Sequence, residues 1–397
     1  MQRVLSRKKQ IYIYLSKSLF NLSLYVKGIF WLLSYHIIVK FFITTNKVSD
    51  DNSIKKNQVI LCINTEKIGD TFLTLDFINS ISKSNNDKKC YYLIQDYLCP
   101  LLRRVEVGCT LIPWNKNKYK YNLGYRIKFL EKLRKLNINI AINISPERGI
   151  VNDELTLLSN AKFNIALNKL SPYLPSNISE RNNKYYDKIL VVSSDNVYDN
   201  LMNGLSQIGS SKYIVCENQF NLIIPKDLKI ETKDNIICVA PYASETSRSW
   251  NSYKFSKLCS LLSKEYSIIL LGDNKQRNRI EEIRAGNNNI KNYAGSLALE
   301  EALSVIAISS LFIGNDSGLT HIALFLKIPL VAIIGGGKNE IFFPYRTYTK
   351  SVFLAHQLDC FKCNWWCKFD QKYCLTELTV ENVFDNCMKL LKQNYHK

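Results

Sequence analysis

The stretch IGNDSGLTHIALFLKIPL (residues 313–330) begins as an apolar run with strand character and ends as an apolar run with helical character. A short polar turn containing glycine separates the two runs. A buried strand followed at once by a helix is the repeating unit of a parallel sheet covered by helices. The polar turn then lies at the carboxyl end of a strand, where open parallel sheets bind their ligands. The stretch therefore predicts an α/β fold with a ligand site at that edge.

The same alternation of strand and helix runs through most of the chain. It begins with QVILCIN (58–64) and starts a second series with IICVAPYAS (236–244). Two series predict two doubly wound domains with parallel sheets, which would face each other across a central cleft. We divide the chain into four parts: a basic, hydrophobic segment and linker (1–57), a first Rossmann-like domain (58–220), a second (221–345), and a Cys-rich tail with a helix (346–397).

The composition indicates a globular protein with an anionic partner. The chain has 397 residues, of which 46% are hydrophobic and 22% charged, and such values exclude a disordered protein. Lys and Arg number 53 against 34 Asp and Glu, which gives a net charge of +19. This excess is typical of proteins that meet nucleic acid, an anionic membrane surface or phosphorylated substrates. We predict no nucleic-acid partner, because no interleaved basic and aromatic motif is present.

Residues 1–49 contain eight Lys or Arg and no acidic residue, with apolar runs such as GIFWLLSYHIIV (28–39) between them. Lys17, Lys27 and Lys40 interrupt the apolar sequence, so a spanning helix of about 20 apolar residues is disfavoured. The pattern favours a helix that lies in the plane of an anionic membrane surface. A helix packed on its own domain is the alternative.

The polar turn of the opening stretch is a candidate anion site. Unpaired backbone N–H groups and the positive end of the helix dipole lie at a helix start, where Ser317 and Thr320 add hydroxyl donors and Gly318 allows close approach. A phosphate or pyrophosphate would bind there. The alternative is simple helix capping by Asp316 or Ser317, with His321 in the first turn.

Three further strand ends carry polar residues. In NTEKIGDTFLTL (64–75), Gly69 permits a tight turn and Asp70 stands at a helix start. Asp70 is a candidate general base, with an ordinary N-cap as the alternative. In APYASETSRSW (240–250), Arg248 is either a phosphate ligand or a surface residue. In LLGD (270–273), Gly272 and Asp273 close a strand where a nucleotide ribose or base would be contacted.

Together these stretches resemble glycosyltransferase family 9, the bacterial heptosyltransferases. The similar motifs are IGD (68–70), SRSW (247–250), GSLALEEAL (295–303) and GNDSGLTHIA (314–323), within a resemblance that covers about 58–340. It implies a two-domain GT-B fold and an inverting sugar transfer without a catalytic metal. The implied donor is a nucleotide-diphosphate sugar, typically ADP-heptose, and the implied acceptor is a lipopolysaccharide core or related membrane glycolipid.

The resemblance also implies roles for individual residues. Asp70 matches the proposed general base and Gly69 its neighbour. Arg248 stands where the family carries a basic residue, often Lys, near the donor phosphates. The donor-binding segment corresponds to six residues here: Asp316, Ser317, Gly318, Leu319, Thr320 and His321. The enzyme would work in the cytoplasm, peripherally on the cytoplasmic face of the inner membrane.

Two further hypotheses stay open for the function. A non-hydrolysing nucleotide-sugar epimerase shares the fold, and an inactive relative could serve as an assembly protein for an envelope glycan. An epimerase needs no acceptor, so an assay with donor alone separates it from a transferase. Retention of Asp70 and of the complete 314–323 motif argues against an inactive protein.

The chain contains 12 cysteines. Seven lie in apolar segments, where we interpret them as small buried hydrophobic side chains in a reducing compartment: Cys62, Cys90, Cys99, Cys109, Cys216, Cys238 and Cys259. Four lie close together in CFKCNWWCKFDQKYC: Cys360, Cys363, Cys367 and Cys374. Four such thiolates suit a structural zinc ion. A reduced structural cluster, disulfides or an iron–sulfur cluster are the alternatives.

Overall fold

The computed structural model describes residues 58–84, 89–105, 107–168, 182–209, 214–216, 222–223, 225, 235–245, 248–346 and 350–393. The described residues fall into two compact units, which we call the N-terminal unit (58–216) and the C-terminal unit (222–393). In those ranges no helix combines the length and the apolarity needed to cross a membrane. The interfacial helix expected within residues 1–57 lies outside the described residues.

The N-terminal unit is a parallel sheet in the order β3-β2-β1-β4-β5-β6. Its strands are β1 (Val59–Ile63), β2 (Lys89–Gln95), β3 (Thr110–Trp114), β4 (Ile140–Asn143), β5 (Phe163–Leu167) and β6 (Lys188–Leu190). Its helices are α1 (Ile68–Leu73), α2 (Leu75–Lys83), α3 (Cys99–Leu102), α4 (Lys116–Tyr121), α5 (Leu123–Arg134), α6 (Ile150–Leu157) and α7 (Val197–Gln207).

The C-terminal unit repeats this architecture, with its sheet in the order β12-β11-β10-β7-β8-β9. Its strands are β7 (Ile236–Ala240), β8 (Ser267–Leu270), β9 (Ile290–Asn292), β10 (Leu311–Asn315), β11 (Leu330–Ile333) and β12 (Ser351–Leu354). Its helices are α8 (Ser252–Leu262), α9 (Arg277–Arg284), α10 (Leu299–Ala307), α11 (Gly318–Phe325), α12 (Tyr373–Thr376) and α13 (Val380–Lys392).

The central strands are buried on both faces, which explains their uninterrupted apolar sequences. Ile60 to Ile63 of β1 and Leu311 to Ile313 of β10 are fully buried. Strands of parallel sheets are covered by helices on both sides, so they need apolar residues at consecutive positions rather than at alternate ones. The α/β prediction with two parallel, doubly wound sheets is confirmed.

The residues after the last β–α repeat belong to the same core as the sheet of the C-terminal unit. The strand β12 pairs with β11 in parallel and forms one edge of the sheet. Helix α13 presents Val383, Leu390 and Leu391 to the hydrophobic core around β10 and β11. The carboxyl-terminal part of the chain therefore contributes both a strand and a covering helix to this unit.

Cys90 and Cys109 form a disulfide across β2 and β3. Their interpretation as single buried thiols is wrong. The pairing follows from the sheet register, in which Tyr91 stands opposite Thr110, so that the preceding residues are also neighbours. The other five cysteines of that group are free and buried, as expected: Cys62, Cys99, Cys216, Cys238 and Cys259.

A buried ion pair joins two helices of the N-terminal unit. The guanidinium of Arg126 on α5 donates to both carboxylate oxygens of Glu154 on α6. The hydroxyl of Tyr119 donates to Glu154 Oε1 at 2.8 Å. All three side chains are buried. A buried charge of this kind is tolerated only while its partner is present.

We expect Glu154→Ala to lower the free energy of unfolding of the N-terminal unit by about 3–5 kcal/mol, because it leaves the Arg126 charge buried and unpaired. Urea denaturation followed by circular dichroism measures the change. Glu131→Ala, on the exposed face of α5, is the matched control and should stay within about 0.5 kcal/mol of the wild type. Equal stability of the two variants would contradict the assignment.

Candidate functional site

The strand order of the C-terminal unit reverses between β7 and β10, and the polar turns after these two strands meet there. The buried side chain of Asn315, the last residue of β10, connects them. Its Nδ2 donates to the Pro241 carbonyl at 2.6 Å, and its Oδ1 accepts from the Trp250 N–H at 2.9 Å. Ligands of open parallel sheets bind at such a reversal of strand order.

The turn after β10 has the hydroxyl groups that the sequence predicted, but simple capping does not account for them. Ser317 holds the N-cap position of α11, yet its side chain caps no backbone N–H. Its hydroxyl lies 3.2 Å from the hydroxyl of Thr320, which donates to the Asn315 carbonyl. Asp316, Gly318 and Leu319 are partly exposed beside it. The backbone N–H groups at the start of α11 therefore donate no hydrogen bond to the Ser317 side chain.

Arg248 and Asp316, predicted separately from two turns, act on each other in the structure. Desolvation raises the pKa of Asp316 to about 6, while the positive charges of Arg248 and Lys338 act in the opposite direction. Arg248 also forms an ion pair with Glu245 at 3.1 Å, with its side chain 28% exposed. The turn therefore combines two cations with one carboxyl group that is easily protonated.

His321 is buried in an aromatic cluster, and its imidazole carries no positive charge. Desolvation lowers its pKa to about 3, so the imidazole is neutral at physiological pH. Its Nδ1 lies 2.8 Å from the Tyr345 hydroxyl, and its ring centroid lies 4.3 Å from that of Phe343. His321 can support the turn or offer a neutral hydrogen bond, but it cannot neutralise a phosphate.

Gly272 and Asp273 have local structural roles after β8. A Cβ at Gly272 would lie 2.5 Å from Ile280 Cδ1, so a larger residue there would displace this side chain. Asp273 caps a short 3₁₀ helix (Asn274–Gln276) by accepting from the Gln276 N–H at 3.0 Å. Gln276 in turn donates to the Ala243 carbonyl at 3.2 Å, in the turn after β7. Contact of Gly272 and Asp273 with a nucleotide stays a prediction.

Asp70 lies in the N-terminal unit, beyond the carboxyl end of β1. The N-cap position of α1 belongs to Lys67, so Asp70 occupies the first turn and is not the cap. Gly69 and Asp70 are both partly exposed. The charge of Asp70 contributes to raising the pKa of the nearby Tyr97. The Asp70 side chain therefore lies in the first turn of α1 with part of its surface in contact with solvent.

Three residues near these turns escaped the sequence analysis. Glu66 lies before α1, where burial raises the pKa of its carboxyl group and Asn152 Nδ2 donates to it at 3.3 Å. Lys338 follows the strand end at β11 and acts on Asp316. Tyr345 is the hydrogen-bond partner of His321. Glu66 and Lys338 follow strand-like runs in the sequence, and this pattern could have identified both as candidates. No pattern in the sequence marked Tyr345.

The four clustered cysteines carry free thiols in the C-terminal unit. Burial is the main cause that raises the pKa of Cys360, Cys363 and Cys374, and neighbouring thiols raise it further. The sulfur atoms therefore share one electrostatic environment. In the ranges that the structure describes, no group of three or more His, Cys, Asp or Glu side chains is arranged to hold a metal ion.

Comparison with known proteins identifies the class. The profile of glycosyltransferase family 9 (heptosyltransferase) matches residues 110–365, which is more than half of the chain. The chain therefore belongs to glycosyltransferase family 9. The matched region contains Arg248 and the turn after β10, but it begins after Asp70.

Several curated relatives are heptosyltransferases. Lipooligosaccharide heptosyltransferase 2 of Campylobacter jejuni serotype O:2 is 27% identical over 44% of this chain and 57% of its own length. Lipopolysaccharide heptosyltransferase 2 of Salmonella typhimurium is 32% identical over 28% of this chain and 33% of its own length. The chain thus aligns with about half or less of these relatives. Lipopolysaccharide heptosyltransferase 1 of Campylobacter coli is 24% identical over 70% of this chain and 83% of its own length.

Solved structures show the same fold. A family 9 glycosyltransferase from Veillonella parvula superposes with a TM-score of 0.73 at 16% identity, covering 86% of this chain and 99% of the other. The ADP-heptose lps heptosyltransferase II of Escherichia coli gives a TM-score of 0.65 at 18% identity, covering 85% and 99%. At these identities the likeness supports the fold alone.

We expect the Asp316 carboxyl group to titrate near pH 6, and its pKa to rise further in Arg248→Gln and Lys338→Gln. Loss of a nearby positive charge destabilises the carboxylate, so protonation occurs at higher pH. Carbon-13 NMR of labelled carboxyl groups measures the pKa, with Asp316→Asn for assignment. Lys264→Gln, at an exposed lysine of the same unit, should leave it unchanged. An Asp316 pKa that is the same in Arg248→Gln, Lys338→Gln and the wild type would disprove the coupling.

Proposed function

We propose that the chain is an inverting glycosyltransferase that moves a sugar, heptose from ADP-heptose, to a lipopolysaccharide core or a related envelope glycolipid. The observation that carries this proposal is the turn after β10, where Arg248 and Lys338 act on Asp316 beside the start of α11 in a family 9 chain. The names of the curated relatives support the choice of sugar and acceptor.

In this proposal the turn of the C-terminal unit binds the diphosphate of the donor. Arg248 offers a planar cation, which suits phosphate oxygens. Lys338 adds a second charge, and the start of α11 adds backbone N–H groups with the positive end of a helix dipole. These groups also stabilise the charge that develops on the departing diphosphate, so the transfer needs no catalytic metal or cofactor.

Asp70 of the N-terminal unit is the proposed general base. The acceptor hydroxyl oxygen attacks the anomeric carbon of the donor sugar while its proton passes to the Asp70 carboxylate. The bond between the anomeric carbon and the diphosphate oxygen breaks, and the nucleoside diphosphate leaves with the electron pair. A single displacement of this kind inverts the anomeric configuration. Its position in a first helical turn and its exposure support this role.

The acceptor class suits the charge distribution of the chain. A lipid-linked glycan is presented at a membrane, and the segment 1–49, with eight basic and no acidic residues, suits an anionic surface. We therefore propose that the enzyme works in the cytoplasm, peripherally on the inner membrane. The epimerase and the inactive assembly protein remain the alternatives that the following experiments test.

Asp70→Ala should reduce transfer by about 10²–10⁴-fold, the usual contribution of a general base. Affinity for ADP should stay within about twofold, because Asp70 is not part of the proposed diphosphate site. Release of ADP from ADP-heptose in the presence of acceptor glycolipid measures the rate, and calorimetry measures the affinity.

Asp199→Ala is the matched control, since Asp199 also lies in the first turn of a helix of the N-terminal unit, α7, and is exposed. It should keep full activity. Full activity of Asp70→Ala would exclude the base assignment. Turnover of donor in the absence of acceptor, with epimerisation of the sugar, would favour the epimerase instead.

We also propose that Cys360, Cys363, Cys367 and Cys374, whose thiols influence one another, come together around a structural zinc ion when the metal binds, as four thiolates commonly do. Elemental analysis of protein purified without chelators should give about one zinc per chain. Cys363→Ser should lose the metal, whereas Cys259→Ser, at a buried cysteine elsewhere in the same unit, should retain it. A metal-free wild type, or iron in place of zinc, would refute this assignment.

A further inference from the structure

The loop after β11 contains three consecutive glycines, and two aromatic rings occupy the space of their missing side chains. A Cβ at Gly336 would lie 2.5 Å from a ring carbon of Phe361. A Cβ at Gly337 would lie 2.3 Å from a ring carbon of Trp365, and one at Gly335, where φ is +57°, would lie 2.9 Å from the same indole. The glycines are required because the aromatic segment rests directly on this backbone.

Backbone hydrogen bonds hold the two segments together. The Lys362 N–H donates to the Gly336 carbonyl at 2.8 Å, and the Asn364 N–H donates to the Gly337 carbonyl at 3.0 Å. Trp365 itself adopts a left-handed backbone with φ of 66°. Such a conformation is costly for a bulky residue and persists only where the surroundings fix it. The position of the Trp365 indole is therefore strongly determined.

The indole lies against the proposed phosphate ligand. The guanidinium carbon of Arg248 lies 5.8 Å from the centroid of the Trp365 ring, within the range of a cation–π contact. Arg248 Nε is buried and has no hydrogen-bond partner among the described residues. The ion pair with Glu245 reaches only the outer end of the guanidinium. The ring is thus a second contact of the guanidinium, beside the Glu245 carboxylate.

We propose that Trp365 is a positioning residue of the diphosphate site, whose indole face orients the Arg248 guanidinium toward a nucleoside diphosphate. The inference rests on the proposed function for the identity of the ligand. The four clustered cysteines flank Trp365 in sequence, so the Cys-rich segment becomes a part of the donor site.

ADP is the probe, and calorimetry on the full chain measures its affinity. Trp365→Leu keeps a smaller apolar side chain on the glycine loop but removes the aromatic face, and it should weaken ADP binding by about tenfold, within the range of a partly desolvated cation–π contact. Trp365→Phe restores a ring and should recover affinity to within about threefold of the wild type. Trp366→Leu, at the adjacent tryptophan, is the matched control and should bind ADP normally.

A double-mutant cycle separates positioning from general support of the fold. In an Arg248→Ala background, Trp365→Leu should change ADP affinity by less than about twofold, because the group that it orients is gone. A penalty that persists undiminished in that background would overturn the proposal, as would wild-type affinity in Trp365→Leu alone. If Trp365→Leu fails to fold, Gly337→Ala takes its place as the test. Its methyl group pushes against the indole and should weaken ADP binding to a similar extent.

A readout without ligand distinguishes this inference from the proposed function. In nitrogen-15 arginine spectra, the Arg248 Hε signal should carry a ring-current shift that disappears in Trp365→Leu and largely returns in Trp365→Phe. If the wild type fails to bind ADP while this shift behaves as expected, the positioning stands and the proposed function fails. An Arg248 signal that is the same in all three proteins would refute the positioning directly.

Discussion

The buried side chain of Asn315 holds the turn after β7 against the turn after β10 in the C-terminal unit. One amide joins two turns that are more than sixty residues apart in the chain, by donating to the Pro241 carbonyl and accepting from the Trp250 N–H. The residue is fully buried, so both hydrogen bonds are protected from water and an unpaired amide there would be costly. Arg248, two residues before Trp250, therefore has a fixed starting point beside the turn that carries Asp316.

The charges around this amide follow from the same arrangement. Desolvation favours the neutral form of Asp316, and the positive charges of Arg248 and Lys338 favour the ionised form. Such opposing influences leave a carboxyl group that titrates close to neutral pH, which is a common property of functional sites. For His321, desolvation alone determines the direction of the pKa shift. Its imidazole therefore stays neutral within an aromatic cluster.

The sequence was sufficient for the features that depend on local pattern. The apolar runs of β1 and β10 predicted buried parallel strands because such strands lack a polar face. The turns at Asp70 and Asp316 were predictable because polar residues after a strand lie at one edge of the sheet. Features that depend on register or on distant contacts were not. Cys90 and Cys109 are 19 residues apart, and only the pairing of β2 with β3 makes them neighbours. Likewise, nothing local linked Trp365 to Arg248.

The glycine loop after β11 and the aromatic segment behind it constrain each other through volume. At Gly336 and Gly337 any side chain would overlap Phe361 or Trp365, and a smaller residue at 361 or 365 would leave a void beside bare backbone. Substitutions in one stretch are thus tolerable only with matched substitutions in the other. Chimeric enzymes assembled from family 9 members should exchange both stretches as a single block, since a junction placed between them would combine surfaces that were never fitted together.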